Sequence, residues 1–374
     1  MELASMKSIV ATTWIILASA ALGQTAQTLK GAYEGMFKIG AALNRAQFEE
    51  RDTRGVPIVV EQFNSISPEN ALKWGPIHPR VDEYDFGAAD RFVEFGEKHK
   101  MFIVGHCLVW HSQTPRWVFE NEKGEPLTRE GLLERMQDHI RTVVGRYKGR
   151  IGGWDVVNEA LNEDGTMRQT PWYRIIGEDY LVKAFQYAQA ADPRAELYYN
   201  DYSLANEAKR KGAVELIKKL QAAGVKVSGV GMQGHVRLES PTAKQEAESI
   251  EAFAALGVKV HITELDVDVL PRTQRQSSAD IAAKAEGAAN SNPYTAGLPE
   301  AVQQALAKRY GELFAVFVQH RKSLSRVTFW GVTDGDSWLN NFPTRGRTNH
   351  PLLFDREGKK KPAFAAVVDQ ANRK

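Results

Sequence analysis

The sequence is poor in cysteine and carries no strong charge of either sign. Cys107 is the single cysteine among 374 residues, which excludes an internal disulfide, and its apolar surroundings favour a small buried side chain over a reactive thiol. The formal net charge is +2, and no basic run interleaved with aromatic residues occurs, so nucleic acid is not an expected partner. A glycine-rich phosphate loop is also missing, so a dinucleotide-binding open sheet has no support.

A long, mostly apolar stretch lies near the N-terminus. Lys7 precedes the run from Ile9 to Ala21, and Gly23 adds a second small residue, which is the pattern of a secretory signal peptide. The run falls short of the roughly 20 apolar residues that a membrane-spanning helix needs, and no cysteine is present there for a lipid anchor. We therefore expect residues 1–26 to direct secretion, extracellular or periplasmic, with cleavage near 23/24.

Residues 27–374 alternate strand-like and helix-like segments. Eight strand candidates lie at 36–42, 62–67, 101–110, 153–159, 196–202, 227–235, 259–266 and 326–331. Helix candidates lie at 88–99, 132–147, 180–191, 208–223, 243–256, 299–322 and 360–370. This alternation predicts an α/β fold, a single-domain (β/α)₈ TIM barrel, rather than an open doubly wound sheet. No linker or added module is recognisable after Asp334, so 27–374 is expected to form one domain.

Two of the strand candidates carry a glutamate at or near their end. Glu159 ends the stretch from Trp154, and Glu264 lies two residues before the end of the stretch Val260 to Asp266. Two carboxyls at one rim of a barrel can divide acid/base and nucleophilic work between them. Asn158 and Glu159 are consecutive, so a regular strand would send them to opposite faces. Both can address one site only if the strand ends or bulges there.

Polar and aromatic residues collect at the expected carboxyl ends of the strands, where barrels of this kind carry their active sites. They are Lys73, His106, Trp110, Glu159, Tyr202, Gln233, His235, Glu264 and Trp330. The alternation of side chains places His261 on the face opposite Glu264, which favours a structural role for this histidine.

The segments around the two glutamates resemble the two signatures of glycoside hydrolase family 10, the retaining endo-β-1,4-xylanases. Further similar motifs, in order, cover residues 69–74, 105–111, 200–202, 231–235 and 329–331, so the resemblance spans nearly all of 27–374. It implies a (β/α)₈ barrel that acts on xylan and xylo-oligosaccharides as a monomer, without cofactor or metal. It also implies Glu159 as acid/base and Glu264 as nucleophile.

The resemblance assigns the remaining site residues as well. Asn158 would bind the sugar 2-hydroxyl, His106 and His235 would line the cleavage subsite, and Gln233 and Asp266 would orient the nucleophile and its neighbours. The other expected sugar contacts are Trp110, Trp330 and Trp338 for stacking, Glu69, Asn70, Lys73 and Gln113 on the donor side, and Tyr202 on the acceptor side. Ser203 departs from the asparagine that many family members carry.

Two alternatives from other classes remain open at this stage. A metal-dependent hydrolase could use His106, His111, His235 and His261, although their spacing lacks a compact ligand pattern. The other alternative is a barrel that binds β-1,4-glycans without hydrolysing them, or that binds and hydrolyses a broader range of β-1,4-glycans. Residues 270–298 are too long for an ordinary connection and are either a flap over the acceptor side or a surface excursion.

Overall fold

The computed structural model describes residues 27–271 and 292–373, and their strands form a closed parallel barrel. The strands are β1 (Lys38–Leu43), β2 (Ser65–Pro68), β3 (Phe102–Val109), β4 (Gly153–Asn158), β5 (Glu196–Asp201), β6 (Gly229–Met232), β7 (His235–Arg237), β8 (Lys259–Asp268) and β9 (Leu324–Phe329). The pairings are parallel, β6 and β7 each pair with β8 rather than with one another, and the ring closes because β8 pairs with both β6 and β9. The expected (β/α)₈ barrel is confirmed.

Helices lie between the strands on the outside of the barrel. They are α1 (Leu29–Ala32), α2 (Arg45–Phe48), α3 (Gly55–Gln62), α4 (Trp74–Ile77), α5 (Gly87–Lys98), α6 (Arg129–Arg146), α7 (Pro171–Ile176), α8 (Tyr180–Ala191), α9 (Glu207–Ala222), α10 (Ala243–Ala254), α11 (Glu300–Gln319) and α12 (Pro362–Ala371). None of the helices in the described ranges combines the length and apolar character needed to cross a bilayer. The expected signal segment, 1–26, lies outside the described residues.

The sixth strand differs from its prediction. The sequence favoured one continuous strand over 227–235, whereas the structure has two short strands, β6 and β7, separated by Gln233 and Gly234. Gly234 has a φ of 82°, a left-handed conformation that glycine adopts without steric cost. The interruption matters for the site, because the Gln233 carbonyl accepts a hydrogen bond from the Glu264 amide.

The second strand was also predicted wrongly at its start. Residue 62 belongs to α3, and β2 begins only at Ser65, after Phe63 and Asn64. The Gln62 side chain instead accepts a hydrogen bond from the Leu29 amide, which ties the first helix to α3. The local sequence pattern around Gln62 does not reveal this contact with a residue 33 positions away.

Polar residues at the amino-terminal end of the barrel are structural. His261 is fully buried, its Nδ1 lies 2.7 Å from the Ser325 hydroxyl, and its ring packs at 4.4 Å from Tyr198. Burial lowers its pKa well below the ordinary histidine value, so the ring is neutral. The structural role expected for His261 agrees with this placement.

The tight packing between β3 and β4 gives a stability prediction. A Cβ added at Gly105 would lie 2.1 Å from the Trp154 ring, its register neighbour. Gly105→Ala is therefore expected to lower the free energy of unfolding by about 1–3 kcal/mol through overpacking, measured by denaturant titration. Gly145→Ala is the matched control, since a Cβ there meets nothing within 4 Å and alanine favours the helix. Equal destabilisation by both substitutions would contradict this packing.

Candidate active site

One cavity at the carboxyl ends of the strands gathers most of the sequence-predicted residues. Its lining consists of Glu69, Asn70, Lys73, His106, Trp110, Gln113, Asn158, Glu159, Gln233, His235, Glu264, Trp330 and Trp338. Each of these residues was singled out from the sequence. Tyr202 and Asp266 lie outside this lining.

Backbone geometry turns Glu159 into the cavity. Strand β4 ends at Asn158, and Glu159 has a φ of 59°, in the left-handed region, where a residue with a side chain pays roughly 1 kcal/mol or more. Its amide is held by the Asn200 carbonyl at 2.9 Å. The strand end lets consecutive residues face one site, as the sequence required.

The Gln233 side chain connects Asn158 and Glu159. Its Nε2 donates to Glu159 Oε1 at 3.0 Å and lies 3.3 Å from Asn158 Oδ1. Trp110 Nε1 donates to the other carboxyl oxygen, Oε2, at 2.8 Å. Donors that follow two separate strands, β6 and β3, therefore fix the orientation of the Glu159 carboxyl group.

The environment raises the pKa of Glu159 to about 7. Burial is the main cause, the negative charge of Asp201 is the next, and the charge of Glu264 contributes less; the Gln233 and Trp110 hydrogen bonds act in the opposite direction. Glu264 therefore helps to keep the proton on Glu159, but burial and Asp201 contribute more.

Asp201 is itself held in a dense cluster behind Glu159. Its Oδ1 lies 2.9 Å from Lys209 Nζ, and both side chains are inaccessible to solvent. Tyr199 donates its hydroxyl hydrogen to Oδ2, and the Leu161 amide lies 3.3 Å from the same oxygen. These partners keep a carboxylate stable at a buried position, from which it acts on Glu159.

Glu264, unlike Glu159, lies beside a charged side chain of opposite sign. Its Oε2 lies 3.2 Å from His235 Nε2, while His235 Nδ1 lies 3.0 Å from Asp266 Oδ1. A carboxylate at each ring nitrogen requires both nitrogens to be donors, so the imidazole is charged. Burial opposes that charge, but Asp266 and Glu264 outweigh it and raise the pKa of His235 to about 10.

The charged His235 keeps Glu264 ionised. Burial alone would raise the pKa of Glu264, yet the His235 hydrogen bond, together with the charge of His106 and the Asn200 amide, lowers it below the ordinary glutamate value. Trp338 Nε1 donates to Asp266 Oδ2 at 2.7 Å and completes the chain of contacts. Two buried glutamates in one cavity thus have pKa values shifted in opposite directions.

Asn200 is a site residue that the sequence reasoning missed. Its Nδ2 donates to Glu264 Oε1 at 2.9 Å and to Asn158 Oδ1 at 3.0 Å, while Oδ1 accepts from Thr263 Oγ1 at 2.6 Å. The position of Asn200 near the end of a predicted strand was the feature of the sequence that could have indicated this role. Gly231 makes room for it, because a Cβ there would lie 2.2 Å from Asn200 Oδ1.

The opposite wall of the cavity is fixed by two further contacts. His106 Nδ1 lies 2.8 Å from Asp155 Oδ2, its register neighbour on β4, and its ring lies 5.4 Å from Trp330. Lys73 Nζ donates to Asn70 Oδ1 at 3.0 Å and sits 5.0 Å from the Trp110 ring centroid. Burial lowers the pKa of Lys73.

Tyr202 does not line the cavity, although the resemblance implied that it contacts the sugar on the acceptor side. Its side chain is only 1% exposed, Arg168 donates to its hydroxyl, and Lys209 Nζ lies 3.4 Å from its ring centroid. In this structure the residue supports the wall rather than lining the cavity. Its role as an acceptor-side contact stays a prediction.

The four histidines of the metal hypothesis do not come together. His106 and His235 bind separate carboxylates, His261 lies near Ser325, and His111 Nε2 lies 3.5 Å from Arg168. Across 27–271 and 292–373, no group of three or more His, Cys, Asp or Glu side chains is arranged to hold a metal ion.

The long segment after β8 is described only at its two ends. Residues 272–291 lie outside the described residues, so the flap hypothesis for 270–298 is untested. At the far end, Asn292 Oδ1 accepts from the Thr348 amide, and the Tyr294 carbonyl contacts His350.

Comparisons with known proteins agree with this geometry. Residues 28–370 match the model of glycosyl hydrolase family 10. Endo-1,4-beta-xylanase A of Xylanibacter ruminicola is 45% identical, over 95% of this chain and 96% of that protein. The beta-1,4-xylanase of Dictyoglomus thermophilum is 40% identical, over 93% and 92%.

Solved structures give the same result. A GH10 endoxylanase retrieved from a sugarcane soil metagenome superposes with a TM-score of 0.88 at 47% identity, covering 91% of this chain and 99% of that one. Xylanase XynB from Paenibacillus barcinonensis, complexed with a conduramine derivative, gives 0.83 at 39% identity, covering 93% and 99%. The chain therefore belongs to glycosyl hydrolase family 10.

Proposed function

We propose that the protein is an endo-1,4-β-xylanase that hydrolyses internal bonds of xylan with retention of anomeric configuration. The observation that carries the proposal is the pair of buried glutamates with oppositely shifted pKa values in one tryptophan-lined cavity. Retaining glycosidases need one ionised and one protonated carboxyl at the start of the reaction. Relatives named as xylanases over nearly the whole chain supply the substrate class.

In the first step Glu264 attacks the anomeric carbon and the glycosidic C–O bond breaks. Glu159, protonated below its pKa of about 7, gives its proton to the leaving oxygen. In the second step Glu159, now a carboxylate, removes a proton from water, which displaces Glu264 from the sugar. His235 holds Glu264 and is itself held by Asp266, so the nucleophile keeps its charge and orientation.

Substrate is positioned by flat and polar surfaces on either side of the glutamates. Trp110, Trp330 and Trp338 line the cavity and can stack on pyranose rings, and we assign Asn158, in the same lining, to the sugar 2-hydroxyl group. Glu69, Asn70, Lys73 and Gln113 line the same cavity, and we assign them to the donor side because they resemble the family's donor-side contacts. The alternative of a silent glycan-binding barrel has no observation in its favour, since both carboxyls and the residues that tune them are present.

The proposal extends to the setting in which the enzyme works. We infer that residues 1–26 act as a signal peptide and that the mature protein is a secreted monomer without a nucleic-acid partner. The support is the Lys7 and Ile9–Ala21 pattern and the near-neutral charge. N-terminal sequencing and light scattering of protein recovered outside the cytoplasm test it; an uncleaved cytoplasmic protein or a stable dimer would contradict it.

Product analysis tests the reaction itself. Xylohexaose hydrolysis followed by ¹H NMR should first release β-configured xylo-oligosaccharides, and xylan should lose viscosity before xylose accumulates. An α-configured first product would contradict retention. Absence of hydrolysis on xylan and xylohexaose would overturn the proposed function.

The roles of the two glutamates predict different substrate dependences. Glu264→Gln should lower kcat/KM by at least about 10⁴-fold on every substrate. Glu159→Gln should lower it by roughly 10²–10⁴-fold on xylan but far less on an aryl xylobioside whose leaving group needs no proton. Glu251→Gln, on exposed α10, is the control and should keep wild-type rates. Equal losses for Glu159→Gln on both substrates would refute the general-acid role.

The Trp110 hydrogen bond predicts a shift in the pH profile. This bond favours the ionised form of Glu159, so Trp110→Phe should raise the pKa and move the alkaline limb of kcat/KM to higher pH. Trp117→Phe is the control, since its Nε1 donates to the Pro79 carbonyl. A limb that stays in place, or moves to lower pH, in Trp110→Phe would contradict the hydrogen bond's effect.

A further inference from the structure

A second groove continues from the catalytic cavity and has a volume of about 440 Å³. It shares Gln233 and His235 with that cavity, so the two form one surface. Its other walls are the segment 203–207, strand β7 with the turn at 240–241, and the start of α10. Glu69 and Lys73, which we assigned to the donor side, line the catalytic cavity but not this groove, so on the proposed function the groove is the acceptor side.

Arg237 is placed to face this groove. In β7, His235 and Arg237 are partly exposed and Val236 between them is buried, so the first and third side chains share a face. His235 points to Glu264 and Asp266, and Arg237 follows one step further along the strand. The Arg237 backbone is fixed, since its amide donates to the Ser240 carbonyl and its carbonyl accepts from Arg309.

The Arg237 guanidinium has no hydrogen-bond or ion-pair partner within the described part of the chain. Asp268, its register neighbour on β8, accepts instead from Asn349 Nδ2 at 2.6 Å and from the Leu270 amide. Five donors in a planar fork are thus left available beside the catalytic cavity.

The acidic residues near Arg237 leave much of its positive charge uncompensated. Glu207 at the rim pairs with Lys211 at 2.6 Å. Glu246 is buried beside Arg309, and burial raises its pKa to about 7, so it carries a reduced negative charge at neutral pH. Glu163 also lines the groove and has contacts of its own.

We propose that Arg237 binds the carboxylate of a uronic acid that substitutes the xylan backbone on the acceptor side of the cleavage point. The inference rests on the proposed function and names a feature of its substrate. A guanidinium fork matches a carboxylate in a bidentate geometry that neutral sugars cannot supply. Ser203, with its short side chain at the same groove, leaves space for the substituent.

Matched oligosaccharides test the assignment. The probes are xylohexaose bearing one glucuronic acid, the same compound with its carboxyl reduced to an alcohol, and plain xylohexaose. Wild-type kcat/KM should be about three- to tenfold higher for the acidic probe than for its reduced form, the effect of one ordinary net hydrogen bond at a partly exposed site. Arg237→Gln should bring the two values together, and Arg237→Lys should retain part of the difference.

The controls separate this inference from the proposed function. Arg91→Gln changes net charge equally on exposed α5 and should keep the wild-type preference. All variants should cleave plain xylohexaose at wild-type rates, which also shows that they fold. Two results would contradict the role of Arg237 and leave the proposed function standing. In one, wild type cleaves plain xylohexaose but shows no preference for the acidic probe; in the other, Arg237→Gln keeps that preference. If wild type cleaves none of the probes, the proposed function fails.

Discussion

The hydrogen bond between His235 and Glu264 places a cation against one of two glutamates that share a buried cavity. Without it, burial would raise the pKa of both carboxyls and neither would be a good nucleophile. Asp266 makes the cation possible by accepting from the second ring nitrogen, and Trp338 holds Asp266 in turn. Among the described residues, the side chains that donate to the Glu159 carboxyl are the neutral Gln233 and Trp110. Glu159 is also near a second carboxylate, Asp201, so it retains its proton to higher pH.

The two glutamates have different surroundings because the strands of the barrel end at different levels along the barrel axis. Strand β4 stops at Asn158, and the left-handed Glu159 turns both residues inward. Strand β8 continues past Glu264 to Asp268, so Glu264 and Asp266 lie on one face, two residues apart. The gap between β6 and β7 sends Gln233 into the cavity and returns His235 beside Asp266. Each functional side chain is therefore set by backbone geometry as well as by hydrogen bonds.

Sequence patterns predicted the barrel and the strand-end residues of the cavity because both depend on short-range order, whereas Glu69, Asn70, Gln113 and Trp338 were expected from the family resemblance. Parallel strands buried on both faces leave long apolar runs, and residues at strand ends meet at one rim. The interruption at Gln233 and Gly234 was missed, since a short apolar segment does not reveal a left-handed glycine. Asn200 and Asp201 were missed as site residues because their contacts come from strands far apart in sequence. The size of the Asp201 effect on Glu159 required the burial of both groups to be known.

The most direct test of this account is a ¹³C NMR titration of wild-type protein labelled at the glutamate side-chain carboxyls. The Glu159 and Glu264 resonances can be assigned from the spectra of Glu159→Gln and Glu264→Gln. The account predicts that Glu159 titrates at about 7 and Glu264 below the ordinary glutamate value of 4.5. If Glu264 took up its proton at the same pH as Glu159 or at a higher one, the division of roles between the two carboxyls would be contradicted.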